Sequence, residues 1–369
     1  MNRRTFITAS SLTLVASSCA SSKNESKSKT LYFVGGGSGK NGGLHLYKSA
    51  DKGETIELLS IAGKEQNHGF QVFHNDTLYS CVSMGQKKDK CHSVKAYKFN
   101  HKTNNLDEVS SIETEGSLCH VAAHGSLLVV TAYGAGYIES FQLGPKGEIQ
   151  KQLQKYRFTG GSNVDPKRQN APHPHCFTFD HIGKFGFMPD LGRDLIQTFE
   201  IRNNQLIYRR DLDYKSTPGA GPRHLTFHPD GHRAYLINEL DFTLVAFIYQ
   251  DGKLTETDAK RCLPKDFTEW NSCADVHVHP DGHYVYASNR GHNSLAIFKI
   301  LEEKIDLLAH EPTQGETPRN FGIYKDYALV ANQNSDNIIF FDLDPDTGLL
   351  SFKSKTEGIG RPSCVNVID

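Results

Sequence analysis

The stretch GPRHLTFHPDGHRAYLINELDFTLVAF at residues 221–247 decides the fold. A Pro-Arg-His lead precedes an alternating apolar strand, a His-Pro-Asp-Gly turn, a second strand that ends in Asn-Glu, and a third strand. The same order recurs in SCADVHVHPDGHYVYASNRGHNSLAIF at residues 272–298 and in TPRNFGIYKDYALVANQNSDNIIFF at residues 317–341. Repeats of about 40 to 55 residues that contain only short strands are typical of a β-propeller.

The repeat continues in both directions along the chain. Units of the same pattern begin near Asn67, Ser117, Pro172, Pro222, Ser272 and Pro318. A seventh unit opens at residues 361–365 and contains only its first strand. Three strand-like runs, at residues 31–34, 44–47 and 56–61, precede the first full unit. Because an open ring would leave free sheet edges, we expect these runs to complete the seventh blade. The sequence therefore predicts an all-β fold, a seven-bladed β-propeller whose last blade is closed by N- and C-terminal strands, in one domain over residues 30–369.

The N-terminus has the pattern of an export signal. The paired Arg3-Arg4 resembles a twin-arginine signal, and VASSC at residues 15–19 resembles a bacterial lipobox in which Cys19 is lipidated. The alternative is an ordinary signal peptide in which the cysteine is incidental. We expect residues 1–19 to be a signal peptide with a lipobox-like end and residues 20–29, rich in Ser and Lys, to be a flexible tether. The protein would then be periplasmic or at the cell surface, in contact with the membrane through its lipid anchor alone.

The composition argues against two classes of partner. The 369 residues are 37% hydrophobic and 22% charged, and the formal net charge is −1. The sequence has no basic block, which argues against nucleic acid as a partner. After the N-terminus, no apolar run reaches the roughly 18 residues that a membrane-spanning helix requires. We therefore expect a monomeric domain that acts on a small molecule.

Two positions of the repeat are polar where a purely structural ring would have small or apolar residues. The position just before the innermost strand is occupied by His68, Cys119, His175, Arg223, Ala274, Arg319 and Ser363. The end of the second strand carries Asp190, Asn238, Asn289 and Asn332, followed by Leu191, Glu239, Arg290 and Gln333. Charged groups near one axis cost desolvation free energy unless they are paired, so they indicate a polar pocket. The alternative is a solvated channel mouth with structural ion pairs.

Several of these motifs resemble the seven-bladed lactonase family, which contains propeller-type 6-phosphogluconolactonases and fungal carboxymuconate cyclases. The resemblance is carried by APHPH at 171–175, PDLG at 189–192, GPRH at 221–224, NEL at 238–240, HVHPDG at 277–282, SNRGH at 288–292 and TPRNF at 317–321. It implies a lactone hydrolase whose pocket lies at one mouth of the axial channel, with a catalytic set of one His, two Arg and one Glu. Carried over to this chain, the set is His175, with His173 as the alternative, together with Arg223, Glu239 and Arg290.

Lactone hydrolysis explains why these residue types would be needed. A donor or cation must stabilise the carbonyl oxygen as it becomes an oxyanion, and a base must take a proton from water. Arg223 and Arg290 suit the oxyanion and a carboxylate or phosphate of the substrate, because a guanidinium is permanently charged and binds oxyanions bidentately. Glu239 or His175 suits the base. We expect further substrate contacts from His120, His173, Asp190, His224, Arg319 and Asn332.

Other chemistries are less well supported by the sequence. No Gly-x-Ser-x-Gly motif occurs, so we do not expect a serine nucleophile. Arginines at the same rim would repel a divalent cation, so we expect neither a catalytic metal nor a cofactor. The alternative, a divalent ion held by Glu239, Asn289, Asn332 and Asp190 as in propeller lactonases of the regucalcin type, stays open. Two alternative functions stay open, a propeller that only binds a ligand or protein and a cycloisomerase of the carboxymuconate type. The early blades depart from the family pattern at Ser83-Met84 and Ala132-Tyr133, and export argues against a cytoplasmic phosphate ester, so the identity of the lactone stays open.

Replacing Cys19 tests the lipid anchor. Cys19→Ala should move the protein from the membrane fraction to the soluble fraction, because the thiol that would carry the lipid is removed. Cell fractionation and mass analysis of the N-terminus measure the location and the first residue, with Ser22→Ala as the matched control. A wild-type protein that is already soluble and begins at another residue would contradict lipidation.

Overall fold

The structure is a computed structural model that describes residues 29–37, 39–50, 53–85 and 91–368. Within these ranges the chain forms 29 β-strands and a turn of 3₁₀ helix at Arg210–Leu212, and it contains no α-helix. No helix among the described residues is long and apolar enough to cross a membrane. The predicted signal peptide, Cys19 and the tether up to residue 28 lie outside the described residues.

The strands are arranged in chain order as successive four-stranded antiparallel sheets. The described chain opens with β1 (Lys29–Gly35), β2 (Leu44–Ala50) and β3 (Thr55–Ala62). Blade 1 contains β4 (Asn67–His74), β5 (Thr77–Met84), β6 (Cys91–Asn100) and β7 (Asn105–Thr114). Blade 2 contains β8 (His120–His124), β9 (Leu127–Ala132), β10 (Tyr137–Leu143) and β11 (Ile149–Arg157). Blade 3 contains β12 (Thr178–Phe179), β13 (Phe185–Asp190), β14 (Leu195–Arg202), β15 (Gln205–Tyr208) and the short β16 (Tyr214–Lys215), which pairs with β14.

The remaining blades repeat the pattern more regularly. Blade 4 contains β17 (Pro222–Phe227), β18 (Arg233–Asn238), β19 (Thr243–Gln250) and β20 (Lys253–Arg261). Blade 5 contains β21 (Ser272–Val278), β22 (Tyr284–Arg290), β23 (Ser294–Ile300) and β24 (Ile305–Pro312). Blade 6 contains β25 (Pro318–Ile323), β26 (Tyr327–Asn332), β27 (Asn337–Leu343) and β28 (Leu350–Glu357), and β29 (Cys364–Ile368) is the last strand.

The two ends of the chain close the ring in one sheet of order β29-β1-β2-β3, which is blade 7. β29 pairs antiparallel with β1, from Leu31 opposite Ile368 to Gly35 opposite Cys364. β29 also contacts the first strands of blades 6 and 1, as the first strands of other neighbouring blades contact each other. The first strand is therefore the innermost strand of each blade. The predicted seven-bladed propeller with a last blade shared by both termini is confirmed.

The hydrophobic core lies between neighbouring blades. Between blades 5 and 6, the side chains of Tyr286, Phe321 and Phe341 are fully buried in one cluster. The second strand β22 is buried along almost its whole length, whereas the outer strand β28 has several exposed positions. This is the expected pattern for sheets that pack face to face, because a central strand is covered on both sides. Each fully buried phenylalanine contributes about 2 to 3 kcal/mol to folding.

Histidines connect the turns that follow the innermost strands. His181 Nε2 donates to the backbone oxygen of His228 at 2.8 Å, and His228 Nε2 donates to the backbone oxygen of Gly282 at 2.9 Å. Gly282 has a φ of +82°, and a Cβ at this position would lie 2.5 Å from His228 Nε2. The glycine of the His-Pro-Asp-Gly motif is therefore required both by the turn and by the neighbouring imidazole. The His-Pro-Asp-Gly motif therefore forms the turn within its own blade and also the hydrogen bond to the turn of the neighbouring blade.

Removing the last strand tests the ring closure. Deletion of residues 361–369 should abolish the cooperative thermal transition. It leaves β1 with an unpaired edge and removes the innermost strand that contacts blades 6 and 1. Circular dichroism during heating measures the transition, and deletion of Asp369 alone is the control. An unchanged melting temperature for the longer deletion would contradict this account of the fold.

Candidate active site

A β-bulge interrupts the strand pairing at the start of the innermost strand in several blades. The extra residue in the bulge is Gly69 in blade 1, Arg223 in blade 4 and Arg319 in blade 6. A bulge leaves one residue unpaired in the ladder and changes the direction of its side chain. The backbone irregularity therefore explains how arginines from separate repeats reach the centre of the ring.

Three arginines surround the carboxylate of Glu239, which directly follows β18. Glu239 Oε2 lies 2.9 Å from Arg223 Nε and 3.1 Å from Arg290 Nη2. Glu239 Oε1 lies 2.5 Å from Arg168 Nη2. Glu239 is only 4% exposed, so these ion pairs form in a largely desolvated environment. The four side chains together carry a net charge of about +2, because guanidinium groups remain protonated.

The imidazole of His175 lies beside this cluster. His175 Nε2 is 4.0 Å from Glu239 Oε2, and the His175 ring packs edge-on against Tyr133 with 5.2 Å between ring centroids. The backbone N–H of His175 donates to the oxygen of Pro189 at 3.0 Å, which fixes the approach of the chain. The structure thus brings His175 and Glu239 together with the two arginines that the sequence proposed.

The surrounding charges determine the protonation states. Burial by itself raises the pKa of Glu239, but Arg290, Arg223 and Arg168 outweigh it and lower the pKa to about 2. Burial, followed by the charge of Arg223, holds the pKa of His175 well below its ordinary value. At neutral pH the carboxyl of Glu239 is therefore ionised and the imidazole of His175 is neutral.

An axial cavity of about 650 Å³ opens over the cluster. Arg168, Arg290, Arg319 and Arg361 line the cavity, and Glu239 is the one acidic side chain among its described lining residues. Arg319 forms no hydrogen bond or ion pair with any described side chain or backbone group. Among the described residues, no group of three or more His, Cys, Asp and Glu side chains is arranged to hold a metal ion. The cavity is therefore strongly positive.

Arg168 and Arg361 were not identified from the sequence. Arg168 lies in the segment between β11 and β12, outside the repeat pattern, and the neighbouring Gln169 anchors this segment through a 2.7 Å bond from Nε2 to Asp194 Oδ1. Arg361 precedes Pro362 at the start of the seventh unit. The charged residue before Pro362, at the start of a repeat unit, could have indicated from the sequence that Arg361 lies near the axis. The position of Arg168 could not be found in this way, because it depends on the path of a loop.

Three of the proposed substrate contacts lie along the axis. Arg319 lines the cavity directly. His120 and His224 do not line the cavity. Each directly follows the residue at the start of its innermost strand, Cys119 in blade 2 and Arg223 in blade 4. Their rings are 5.5 Å apart between centroids, and His224 is 7% exposed. These two histidines therefore form part of a layer beneath the cavity.

The other three proposed contacts support loops. His173 stacks on Tyr133 with 4.3 Å between ring centroids. The buried carboxylate of Asp190 accepts a 2.7 Å bond from the backbone N–H of His173, and burial raises the pKa of Asp190 to about 6. Asn332 is fully buried and its Nδ2 donates to the oxygen of Thr313 at 2.7 Å. None of these three side chains lines the cavity in the described structure.

Similarity to known proteins extends over almost the whole described chain. The family described as "Lactonase, 7-bladed beta-propeller" matches residues 30–367. A 6-phosphogluconolactonase of Formosa agariphila is 31% identical over 320 residues, which cover 84% of this chain and 90% of that protein. A 6-phosphogluconolactonase of Bacillus subtilis is 28% identical over 341 residues, which cover 89% of this chain and 95% of that protein.

A solved structure extends the similarity to three dimensions. The periplasmic gluconolactonase PpgL of Pseudomonas aeruginosa superposes with a TM-score of 0.87 at 25% sequence identity. The superposition covers 93% of this chain and 99% of that protein. The ring of seven blades therefore has the same arrangement in both proteins.

Replacing Glu239 tests the charge cluster through stability. Glu239→Gln should lower the free energy of unfolding at pH 7 by about 3 kcal/mol, because it leaves buried guanidinium groups without their carboxylate. The pKa of Glu239 is lower in the folded protein than in the unfolded chain, so this stabilisation is complete above about pH 4.5 and is lost as the pH falls towards 2. The difference in the free energy of unfolding between Glu239→Gln and the wild type should therefore become smaller as the pH falls from about 4.5 towards 2. Denaturant titration at several pH values measures this difference.

The exposed pair between Lys355 and Glu357 provides the control for this measurement. Glu357→Gln should change the free energy of unfolding by less than about 1 kcal/mol, because solvent screens this pair. An equally small effect of Glu239→Gln at pH 7 would contradict the proposed role of the cluster.

Proposed function

The chain belongs to the seven-bladed β-propeller lactonase family, and we propose that this lactone hydrolase opens the ring of a sugar lactone in the axial cavity. The observation that carries the proposal is the convergence of a neutral imidazole and several guanidinium groups on one buried carboxylate at the cavity wall. The names of the relatives support lactone hydrolysis over the two alternatives, a binding propeller and a cycloisomerase.

We assign the general base to His175. Both carboxylate oxygens of Glu239 are held by guanidinium groups, so this side chain is poorly placed to take a proton from water. The neutral imidazole of His175 can accept that proton as the water oxygen attacks the carbonyl carbon. Glu239 lies 4.0 Å away and stabilises the imidazolium that forms. When the ring C–O bond breaks, the same proton passes from His175 to the ring oxygen.

The two arginines of the implied catalytic set have different positions and therefore different proposed roles. Arg223 is 1% exposed, lies outside the cavity lining and donates to both Glu239 and the backbone oxygen of Ala274. Arg290 lines the cavity and is held by Ser272, whose Oγ lies 2.7 Å from Nη2. We therefore assign Arg290 to the developing oxyanion, which a preorganised cation stabilises, and Arg223 to the positioning of Glu239.

The charge of the cavity supports an anionic lactone as substrate. Four arginines line the wall, and Arg319 on blade 6 has no partner among the described residues. A partly buried cation of this kind favours a carboxylate or phosphate, because desolvation strengthens the ion pair. The relatives named above include 6-phosphogluconolactonases, whose named substrate carries a phosphate. We propose that Arg319 holds an anionic group of the lactone while its carbonyl lies beside Arg290.

The proposed location is outside the cytoplasm. The export signal and Cys19 expected from the sequence support a periplasmic or cell-surface enzyme attached by a lipid. The Pseudomonas aeruginosa protein with the same fold is named as periplasmic. The Cys19→Ala fractionation described above tests this location, and export would favour a lactone that is present outside the cytoplasm.

A lactone hydrolysis screen tests the function. The domain from residue 30 onwards is assayed with gluconolactone and 6-phosphogluconolactone in a pH-stat. On whichever lactone the wild type hydrolyses, His175→Asn and Arg290→Ala should each lower kcat/KM by roughly 100-fold or more, because they remove the base and the oxyanion donor. Failure of the wild type to open any lactone would overturn the proposed function.

Two further variants complete this experiment. Arg319→Ala should raise KM for 6-phosphogluconolactone and leave kcat nearly unchanged, because Arg319 binds a group remote from the reacting carbonyl. Arg202→Ala, at an exposed position on blade 3, is the control and should behave as the wild type. Full activity of both His175→Asn and Arg290→Ala would show that the residue assignment is wrong even if the protein is a lactonase.

A further inference from the structure

A second arginine lies beside Arg319 on the wall of the axial cavity. Arg361 directly precedes Pro362 at the start of the seventh unit, and the side chains of Arg319 and Arg361 both line the cavity. Among the residues that the structure describes, neither guanidinium forms an ion pair. Burial and the charge of Arg290 lower the pKa of Arg319, and the charge of Arg361 adds to this effect. The wall therefore carries two neighbouring positive charges outside the Glu239 cluster.

These two arginines lie opposite the proposed base in the ring. Arg319 belongs to blade 6 and Arg361 leads into the innermost strand of blade 7, whereas His175 leads into blade 3. In a ring of seven blades, blades 6 and 7 are the two that lie furthest from blade 3. A lactone whose carbonyl lies beside His175 and Arg290 would therefore extend its other end towards Arg319 and Arg361.

The backbone at Arg361 has a conformation that favours glycine. Its φ is +49°, in the left-handed region where the Cβ of any other residue is crowded. The equivalent residue before Pro222 in blade 4 is Gly221, with a φ of +67°. A residue that precedes proline is normally extended, which restricts Arg361 further. An arginine at this position therefore has a conformational cost that a glycine would not have.

Hydrogen bonds from blades 6 and 7 hold the turn that contains Arg361. The backbone N–H of Arg361 donates to Asp336 Oδ1 at 2.8 Å, between β26 and β27. The N–H of Gly360 donates to the oxygen of Asn41 at 3.2 Å, and its own oxygen accepts from the N–H of Gly37 at 2.6 Å. A Cβ at Gly37 would lie 3.1 Å from Arg361 Cβ and 3.5 Å from Arg361 Cδ. The fold therefore fixes the backbone of Arg361, and the stem of its side chain passes over Gly37.

We propose that Arg361 is a specificity-determining residue, which together with Arg319 binds an anionic group at the end of the lactone remote from the reacting carbonyl. This inference rests on the proposed function, in which Arg319 holds such a group. A side chain kept at an unfavourable φ indicates a function for that side chain, and a guanidinium binds oxyanions bidentately. The attraction of two cations for an anion grows with the charge of the anion. The affinity should therefore increase with the negative charge of the remote group.

The binding of three sugar acids measures the contribution of Arg361 separately from turnover. Gluconate, glucarate and 6-phosphogluconate share the carboxylate at the first carbon, and at neutral pH their sixth carbon carries no charge, one negative charge and nearly two negative charges. In isothermal titration calorimetry at low salt, the wild-type protein should bind them with affinities that increase in this order. Arg361→Gly should weaken the binding of 6-phosphogluconate by roughly tenfold and that of glucarate by less. The binding of gluconate should stay within about twofold, because its sixth carbon offers no charge to Arg361.

The same substitution should stabilise the protein while it weakens binding. Arg361→Gly removes the crowded Cβ, so the melting temperature should rise by about 2 °C. Thr317 has a φ of +61° at the equivalent position of blade 6 and does not line the cavity. Thr317→Gly is therefore the matched control, which should raise the melting temperature similarly and leave the binding of all three acids unchanged. Arg361→Lys keeps the charge and should retain more affinity for 6-phosphogluconate than Arg361→Gly.

The outcomes separate this inference from the proposed function. A wild type that binds none of the acids or all three equally would overturn the role of Arg361 and leave lactone hydrolysis intact. The same conclusion follows if Arg361→Gly binds 6-phosphogluconate as the wild type does, weakens all three acids equally, or loses affinity together with a lower melting temperature. A wild type that opens no lactone but shows the Arg361-dependent preference would overturn the proposed function and leave the anion site.

Discussion

The closure of the ring is the constraint on which the rest of this structure depends. Each blade buries its apolar faces against two neighbours, so the core is complete only when blade 7 joins blades 6 and 1. The strand pairing from Gly35–Cys364 to Leu31–Ile368 brings together parts of the chain that are more than 300 residues apart. Because such closure has a large entropic cost, it is supported by hydrogen bonds, interblade packing and the histidine contacts between turns.

The axial site is a consequence of that closure. Residues at the start of the innermost strand line the cavity in several blades, and bulges direct the arginines of blades 4 and 6 inwards. Buried charges are tolerated there because one carboxylate, Glu239, pairs with several of them. The distribution is uneven around the ring. Blades 4 and 5 supply Arg223 and Arg290 to this cluster, whereas Arg319 on blade 6 lines the cavity and has no partner among the described residues.

The surroundings of each group, more than its residue type, decide what it can do. Glu239 and His175 are both plausible bases from sequence, but three guanidinium groups make the carboxylate a weak base while burial keeps the imidazole neutral. The same environment separates the two arginines, since Arg223 lies beneath Glu239 and Arg290 faces the cavity. In the proposed mechanism, the carboxylate therefore organises the cations and the histidine moves protons.

The sequence by itself determined the number of blades, the shared seventh blade and the two polar positions, because strand alternation and repeat length are local properties. Membership of the lactonase family also followed from motifs at these positions. Only the tertiary structure decided which polar residues reach the cavity. Asn332 ends its strand and turns into a loop, whereas Glu239, one residue past the corresponding position, points to the axis. Arg168 could not be found by repeat alignment, because it reaches Glu239 from a loop whose path depends on contacts distant in sequence.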